Sequence, residues 1–352
     1  MLRIARYRDH VGLWEGELRD WVPDRIFDAH VHLFTADSIG EIPPERRATA
    51  LATFDQFTYE EALSWRADLY SGKTVAGMIA FPLPLLEVDL TAANDYIAGL
   101  VRQHPNLHGF LAAHPTDAEV TIAQFEKAAA RGIRFSGVKP YYDLLGVSNY
   151  ETTMPAFIPE PLLAFMNEHR LAMMLHTSGV GMGAADNQQY VRSVADRYDA
   201  IPIILAHMGR YLDPRLFRDF VESDVLDRPS IYLEMSSASN VEVYRWALGR
   251  RDLWSRLIFG SDLPFGLLTG IEDWSEATGP TFITRDEYPW TDHNLAQKCA
   301  RYRQTLTYNT YHVIHAFKQA VDELQLPAAE CERLKRAVFH DNAAAIFDLA
   351  RS

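Results

Sequence analysis

The fold is decided by the stretch Ile26-Phe27-Asp28-Ala29-His30-Val31-His32-Leu33-Phe34, which also carries the first candidate site residues. Its apolar beginning predicts a buried β-strand, in which alternate side chains share a face. On that pattern Asp28, His30 and His32 all point the same way. Two imidazoles are costly to bury in an apolar strand unless their ring nitrogens are used. A divalent metal would use them, because imidazole is its commonest neutral ligand. A pair of hydrogen-bonded core histidines is the alternative.

Length and composition favour one large enzyme-like domain. The chain has 352 residues, of which 48% are hydrophobic, and α/β barrels with insertions commonly reach this length. We therefore predict a single domain over residues 1–352. A net charge of −13 without a basic cluster argues against a nucleic-acid partner. No apolar run is long enough to cross a membrane.

The cysteines and the N-terminus predict a cytoplasmic protein. Cys299 and Cys331 are the only cysteines, which provides neither a disulfide framework nor a thiolate metal site and is typical of a reducing compartment. The first residues lead into charged side chains rather than an apolar signal core.

Short apolar runs alternate with helical patterns along most of the chain. This alternation predicts a parallel sheet with right-handed crossovers, and eight such units indicate a closed barrel. We predict an α/β fold, a distorted (β/α)8 TIM barrel with long loops after strands 1 and 8 and extra C-terminal helices. The predicted strands after the first span residues 74–81, 107–114, 137–140, 171–176, 201–207, 230–236 and 257–262.

Polar side chains fall where the predicted strands end. Barrel enzymes keep their chemistry at the C-terminal ends of the strands, so these side chains should converge although they are distant in sequence. Histidines together with one carboxylate suit zinc, with manganese or iron as alternatives. The converging residues are His30 and His32 on strand 1, Lys139 on strand 4, His176 on strand 5, His207 on strand 6 and Asp262 on strand 8.

The motifs at these strand ends resemble those of the amidohydrolase superfamily, in particular the amidohydrolase-2 branch of metal-dependent TIM-barrel hydrolases and decarboxylases. The resemblance extends from Asp28-Ala29-His30-Val31-His32 to Asp341-Asn342-Ala343-Ala344-Ala345-Ile346-Phe347. Between them lie Gly137-Val138-Lys139-Pro140, Leu175-His176-Thr177-Ser178-Gly179, Leu205-Ala206-His207-Met208-Gly209 and Phe259-Gly260-Ser261-Asp262-Leu263-Pro264-Phe265.

The resemblance implies one divalent metal held by His30, His32, His176 and Asp262. Such a metal lowers the pKa of a bound water toward about 7. Asp262 would accept a proton and later return it to the leaving group. His207 would lie just outside the ligand set, as acid/base or as the group that polarises the substrate oxygen; Asp262 acting as a ligand alone, with His207 carrying the proton, is the alternative.

Lys139 has two interpretations. In binuclear members of the superfamily a lysine at the end of the fourth strand is carboxylated and bridges two metals. A single metal is the interpretation we prefer, with Lys139 binding a substrate carboxylate or pairing with a neighbouring acid. Arg210, and also Arg46 and Arg47, could clamp a carboxylate from nearby loops. Glu234 could either reach the mouth of the barrel or face outward.

The resulting prediction is a metal-dependent hydrolase acting on a small ester, lactone or amide of a carboxylated or aromatic compound. The alternative is a nonoxidative decarboxylase of an aromatic or unsaturated carboxylic acid, since the branch contains both chemistries. A non-catalytic metal-binding barrel is a third hypothesis. The resemblance also implies a homodimer and a small-molecule substrate.

Overall fold

Eight parallel strands form one sheet in chain order, β1-β2-β3-β4-β5-β6-β7-β8. The computed structural model describes residues 8–210, 213–275, 279–290 and 305–348. The strands are Arg25–His32 (β1), Thr74–Phe81 (β2), Leu107–Ala112 (β3), Gly137–Lys139 (β4), Ala172–Leu175 (β5), Ile203–Leu205 (β6), Ile231–Glu234 (β7) and Leu257–Ile258 (β8). Two antiparallel strands, Gly270–Ser275 (β9) and Gly279–Thr284 (β10), form a hairpin after β8.

Helices follow most of the strands, as a (β/α)8 barrel requires. Apolar positions at helical spacing bury one face of helices such as Leu90–Gln103 and Ala185–Arg197. Within the described ranges, the helices of seven residues or more are Tyr59–Leu69, Leu90–Gln103, Ala118–Ala129, Glu160–His169, Ala185–Arg197, Pro214–Glu222, Val241–Gly249, Asn309–Glu323, Ala328–Arg336 and Asn342–Asp348. The last three are the predicted extra C-terminal helices.

The sheet closes into a nearly complete barrel where β8 meets β1. Ala29 N–H donates to Phe259 O at 2.9 Å, and His32 N–H donates to Leu263 O at 2.7 Å. These bonds bring the end of the first strand against the turn that follows the last one. The predicted (β/α)8 TIM-barrel fold is confirmed.

The interior of the barrel is an apolar cluster to which Phe27 and Ala29 contribute from β1. Asp28 instead lies 3.4 Å from Arg66 Nη2, on the helix Tyr59–Leu69. The prediction that Asp28 shares a face with His30 and His32 is therefore wrong. The pairing of β1 with β2 shifts register between Asp28 and Val31, and such an irregularity breaks the period of two on which the prediction relied.

The predicted long loop after strand 1 contains a helix that the sequence analysis missed, Tyr59–Leu69. Thr58 caps it, because its side chain accepts from Glu61 N–H while the Glu61 carboxylate accepts from Thr58 N–H. This reciprocal arrangement has a recognisable sequence pattern, Thr-x-x-Glu. In the segment after strand 8 the structure adds the β9–β10 hairpin; residues 276–278 and 291–304 lie outside the described part.

The N-terminal end of the barrel is covered by the helix Asn342–Asp348. The Phe347 ring stacks on Phe27 with 5.9 Å between centroids and on His108 at 4.0 Å. Aromatic side chains thus fill the N-terminal end of the barrel interior. The strand ends that carry His30 and Asp262 face a cavity at the C-terminal end. In the described part of the chain, every helix is too short or too polar to cross a membrane.

A histidine outside the barrel mouth gives the fold a testable pH dependence. Thr307 N–H donates to His312 Nε2 at 2.9 Å, which requires an unprotonated nitrogen. Burial, with a smaller effect from His315, lowers the pKa of His312 to about 4. The His312 ring takes up a proton near pH 6.5 in the unfolded chain but only near pH 4 in the folded chain. The contribution of the neutral ring to the free energy of unfolding is therefore fully present above pH 6.5 and is lost as the pH falls toward 4.

We expect His312→Gln, whose amide oxygen can still accept from Thr307, to lose less stability than the wild type between pH 6.5 and pH 4. The difference should reach up to about 3 kcal/mol, since one pKa unit corresponds to 1.36 kcal/mol. Urea unfolding of both proteins at a series of pH values measures it. Parallel stability curves for the two proteins would contradict the prediction.

Candidate metal centre

Three buried side chains converge at the C-terminal end of the barrel. His30 Nε2 and His32 Nε2 each lie 3.2 Å from the same atom, Asp262 Oδ1. One ligand atom from each of the three residues lies within 4.8 Å of the other two. His30 and His32 belong to β1 and Asp262 follows β8, so closure of the barrel creates this group.

Hydrogen bonds at Nδ1 determine the tautomers of His30, His32 and His176. Their Nδ1 atoms lie 2.9 Å from Glu234 Oε2, 3.2 Å from Pro82 O and 3.1 Å from Thr177 O, respectively. Carboxylate and carbonyl oxygens only accept, so each Nδ1 carries the hydrogen and each Nε2 keeps its lone pair. A metal-ligating histidine almost always has such a partner on its other nitrogen.

The ring nitrogen His30 Nε2 tests whether a metal fits this group. It is buried and has no hydrogen-bond partner, although a buried polar atom is normally satisfied. Its lone pair faces the Asp262 oxygen that His32 also approaches. Two imidazole nitrogens and a carboxylate oxygen are suitable donors for zinc and related divalent metals. The three side chains therefore fit a divalent metal.

His207 is held by a chain of hydrogen bonds that ends at Glu234. Its Nδ1 lies 2.9 Å from Ser236 Oγ and 3.2 Å from Ser236 O. The Ser236 hydroxyl donates onward to Glu234 Oε2 at 2.7 Å, so it accepts from His207. The same carboxylate oxygen accepts from His30, which joins the two rings through one acid.

Burial keeps all four imidazoles neutral at neutral pH. It lowers the pKa of His30, His32 and His176 well below the usual range, and the charge of Lys139 lowers each further. The pKa of His207 falls to about 4 for the same main reason, although Asp262 raises it. A metal ligand must be unprotonated, so burial supplies the required form.

Lys139 ends β4 as a buried ammonium facing the cavity. Its Nζ lies 4.8 Å from the centroid of the Phe81 ring and 5.5 Å from that of Tyr141. Burial lowers the pKa of Lys139 to about 8, against the opposing charges of Asp262 and Glu234. No carboxylate of the described residues forms an ion pair with Nζ within 4.0 Å.

The cavity above these residues has a volume of about 590 Å³, within the range of small-molecule sites. Tyrosines from the loop after β4 form one wall, where the Tyr141 and Tyr142 rings stack at 4.5 Å. Apolar side chains from the region after β8 also line the cavity. Further residues that line the cavity include Arg46, Leu51, Tyr150, Arg210, Phe265, Leu268, Phe282 and Trp290.

A family model described as Amidohydrolase matches residues 27–349. The chain belongs to the amidohydrolase family. It is therefore an enzyme, a hydrolase or carboxy-lyase that acts on a small molecule, and it contains groups of side chains that could hold a metal ion. The amidohydrolase-2 resemblance of the sequence motifs is confirmed. No curated protein matches the chain.

Solved structures with the same fold include 4-oxalomesaconate hydratase from Rhodopseudomonas palustris, at 14% identity and a TM-score of 0.52 over 93% of this chain and 97% of that one. The apo form of Metarhizium anisopliae IDCase gives 14% identity and a TM-score of 0.52 over 92% of this chain and 97% of that one. At this identity the likeness shows the barrel fold alone.

The residues predicted for this amidohydrolase take different places in the site. His176 lines the cavity beside His207, with 5.4 Å between ring centroids. It belongs to neither group of three described side chains whose ligand atoms lie within 4.8 Å of one another. Arg210 also lines the cavity, and its Nη1 donates to the carbonyls of Thr177 and Gly179 at 3.2 and 3.0 Å. The roles of these residues stay predictions.

Of the other two candidate arginines, Arg46 is held in ion pairs and Arg47 is not among the residues that line the cavity. Arg46 lines the cavity but forms ion pairs with Glu87 and, at 2.6 Å, with Asp143. Arg47 is exposed and donates to Ile42 O. Arg46 therefore ties together the loops after β1, β2 and β4, and two carboxylates already balance its charge.

Glu234 is the candidate site residue whose orientation the sequence left open. It ends β7 and is fully buried, and it accepts from His30, from Ser236 N–H at 2.6 Å and from His207 N–H at 3.3 Å. Burial raises the pKa of Glu234, while His207 and the Ser236 donors lower it. Like Lys139 on β4, Glu234 lies at the end of a strand, and this position was the signal in the sequence that could have identified it as a site residue.

Glu234→Gln tests this arrangement. The amide replaces one acceptor oxygen by a donor, which would face the His30, His207 or Ser236 donors. We expect about 10- to 100-fold weaker zinc binding, the usual cost of losing such a partner, measured on metal-free protein by competition with a coloured chelator. Glu160→Gln, which changes an exposed carboxylate, is the matched control and should bind as the wild type. Equal zinc affinity in Glu234→Gln would contradict the assignment.

Proposed function

We propose that this amidohydrolase hydrolyses a small ester, lactone or amide of a carboxylated or aromatic compound. One divalent metal would be held by His30, His32, His176 and Asp262. The observation that carries the proposal is the buried His30 Nε2, which has no hydrogen-bond partner and lies 3.2 Å from Asp262 Oδ1. Three nitrogens and one carboxylate oxygen favour zinc over manganese or iron.

When bound, the metal would act as a Lewis acid that polarises a substrate oxygen and lowers the pKa of a water molecule. Asp262 is the residue that moves the proton. Its Oδ1 faces the two histidine nitrogens, and Ser237 Oγ donates to Oδ2 at 3.4 Å. Asp262 accepts a proton from the attacking water and then donates it to the leaving group.

His207 acts beside Asp262 as a hydrogen-bond acceptor. Its Nδ1 hydrogen is used by Ser236, so Nε2 presents a lone pair. With a pKa near 4 the ring is neutral at pH 7. A neutral ring in this tautomer can orient a water or take its proton, and it cannot donate to a substrate oxygen. This favours the acid/base role over polarisation of the substrate.

Lys139 binds the substrate carboxylate in this proposal. Lys139 forms no ion pair with the described residues, and a buried ammonium in that state is costly. An anion that enters the cavity beside it lowers this cost. Arg210 contributes a second positive charge to the lining of the cavity, while Tyr141 and Tyr142 present ring surface to an aromatic or unsaturated substrate. Carboxylation of Lys139 to bridge two metals is the alternative, which a metal count decides.

A carboxy-lyase activity is the second candidate, because Lys139 marks a place for a substrate carboxylate. In that reaction Asp262 would protonate the carbon from which CO₂ leaves. Release of CO₂ without incorporation of oxygen from labelled water would identify it, whereas one labelled oxygen in the product identifies hydrolysis. A homodimer, the single domain over residues 1–352 and a cytoplasmic location also stay proposals.

Metal content and Asp262 can be tested together. We expect about one equivalent of zinc per wild-type chain, from elemental analysis of protein purified without chelator. Asp262→Asn keeps one carbonyl oxygen but no proton acceptor, so turnover should fall about 10²- to 10⁴-fold. Asp95→Asn, at an exposed carboxylate, is the control. About two equivalents of metal would favour a carboxylated Lys139, and unchanged turnover in Asp262→Asn would refute its proposed role.

Lys139→Met tests the substrate contact. Removing the ammonium should raise KM about 10- to 100-fold for carboxylated substrates, since a hydrogen bond to a charged group contributes about 1.5–3 kcal/mol. KM for the same compounds with the carboxylate blocked as an amide should not change. Lys127→Met, at an exposed lysine, is the control. A KM that rises equally for both sets of compounds would contradict the assignment.

A further inference from the structure

Asp28 is a buried carboxylate that the proposed reaction does not use. It is fully buried, does not line the cavity, and lies two residues before His30. Its side chain faces the junction between β8 and β1, where the barrel closes. The backbone bonds described across this junction are Ala29 N–H to Phe259 O and His32 N–H to Leu263 O.

Between these two bonds the side chain of Asp28 joins the strands. Asp28 Oδ1 accepts from Ser261 N–H at 2.9 Å, and Oδ2 accepts from the Ser261 hydroxyl at 2.8 Å. Both oxygens therefore bind the same residue, a two-point contact that fixes orientation as well as distance. The side chain takes the place that a strand neighbour's carbonyl would have in a regular ladder.

Two other groups hold the Asp28 carboxylate in place. His30 N–H donates to Oδ1 and Arg66 Nη2 donates to Oδ2, each at 3.4 Å. Burial raises the pKa of Asp28, while Arg66 and the Ser261 and His30 donors lower it. The contacts come from β1 itself, from the helix Tyr59–Leu69 and from the turn after β8.

Ser261 passes this restraint directly to Asp262. Asp262 follows it in the chain and has a φ of 55°, a left-handed conformation that is unfavourable for a residue with a Cβ. The Ser261 hydroxyl also accepts from Leu263 N–H at 3.2 Å. The hydroxyl thus binds the residue after Asp262, and it contacts the strand that carries His30 and His32 both at Asp28 Oδ2 and, at the longer distance of 3.3 Å, at His30 O.

We propose that Asp28 is a positioning residue of the metal centre: through Ser261 it sets the distance between Asp262 and the two histidines of β1. The inference rests on the ligand set proposed above. Asp28 reaches neither cavity nor substrate, so its loss should alter metal affinity and turnover without altering substrate binding. A residue that only stabilised the fold would change unfolding and leave metal affinity as it is.

Two variants weaken the contact to different degrees. Asp28→Asn keeps one acceptor for Ser261 N–H and presents an amide donor to the Ser261 hydroxyl or Arg66. Ser261→Ala keeps the N–H bond and removes only the hydroxyl. Asp24→Asn is the matched control, because Asp24 precedes the same strand, lies at the other end of the barrel and has an exposed side chain paired with Lys73.

The test is zinc binding by the metal-free full-length proteins, in competition with a coloured chelator. We expect Asp28→Asn to bind zinc about 10- to 100-fold more weakly than the wild type, Ser261→Ala to show a smaller loss and Asp24→Asn no loss. On a hydrolysed substrate, kcat of the zinc-loaded Asp28→Asn should fall while KM stays within about twofold.

A lower unfolding temperature with wild-type zinc affinity in Asp28→Asn would overturn this inference alone. If Asp28→Asn does not fold, the same criterion applies to Ser261→Ala. Wild-type protein that takes up no zinc would overturn the proposed ligand set and, with it, the role of Asp28. The two failures are therefore distinguishable.

Discussion

The hydrogen bond between His30 Nδ1 and Glu234 Oε2, 2.9 Å long, is the interaction on which the site depends. It links the first strand to the seventh and determines which nitrogen of His30 carries the hydrogen. The same carboxylate accepts from Ser236 and from His207 N–H, so one acid orients groups from three strands. With Nδ1 satisfied in this way, Nε2 of His30 is left for a partner that lies in the cavity.

Burial, more than ion pairing, determines the protonation states of the side chains in the cavity. Four neutral imidazoles line the same cavity as the Lys139 ammonium, which has no carboxylate within ion-pair distance among the described residues. The opposite charges that act on it are those of Asp262 and Glu234. Arg46 shows the contrasting case, since Glu87 and Asp143 balance its charge. A positive charge that forms no ion pair with the described residues, beside the candidate ligands, makes the cavity a favourable place for an anion.

Backbone strain is concentrated at the same end of the barrel. His207, Met208 and Arg210 after β6, Ser237 after β7 and Asp262 after β8 all have positive φ angles, and such residues cost about 1–3 kcal/mol each. Packing and hydrogen bonding must offset that cost, as the Asp28–Ser261 contact does beside Asp262. The opposite end is filled with apolar side chains around Phe347. The candidate site and this apolar packing thus occupy opposite ends of one barrel, as is usual for this architecture.

Much of the architecture could be predicted because it depends on local patterns. The strand Thr74–Phe81 has the predicted bounds, since apolar periodicity is a property of consecutive residues. The histidines and Asp262 could be placed at one mouth because parallel strands align their C-terminal ends. Their individual roles as ligands or proton carriers depend on distances that the pattern does not contain.

The sequence by itself determined that eight strand–helix units form a barrel and that His30, His32, Lys139, His176, His207 and Asp262 collect at one end of it. Only the tertiary structure decided which way Asp28 and Glu234 face. A register irregularity in β1 turns Asp28 toward Ser261, and contacts with His30 and His207 turn Glu234 inward. Both outcomes depend on partners as far as 233 and 204 residues away in the chain, and no local pattern specifies such a pairing.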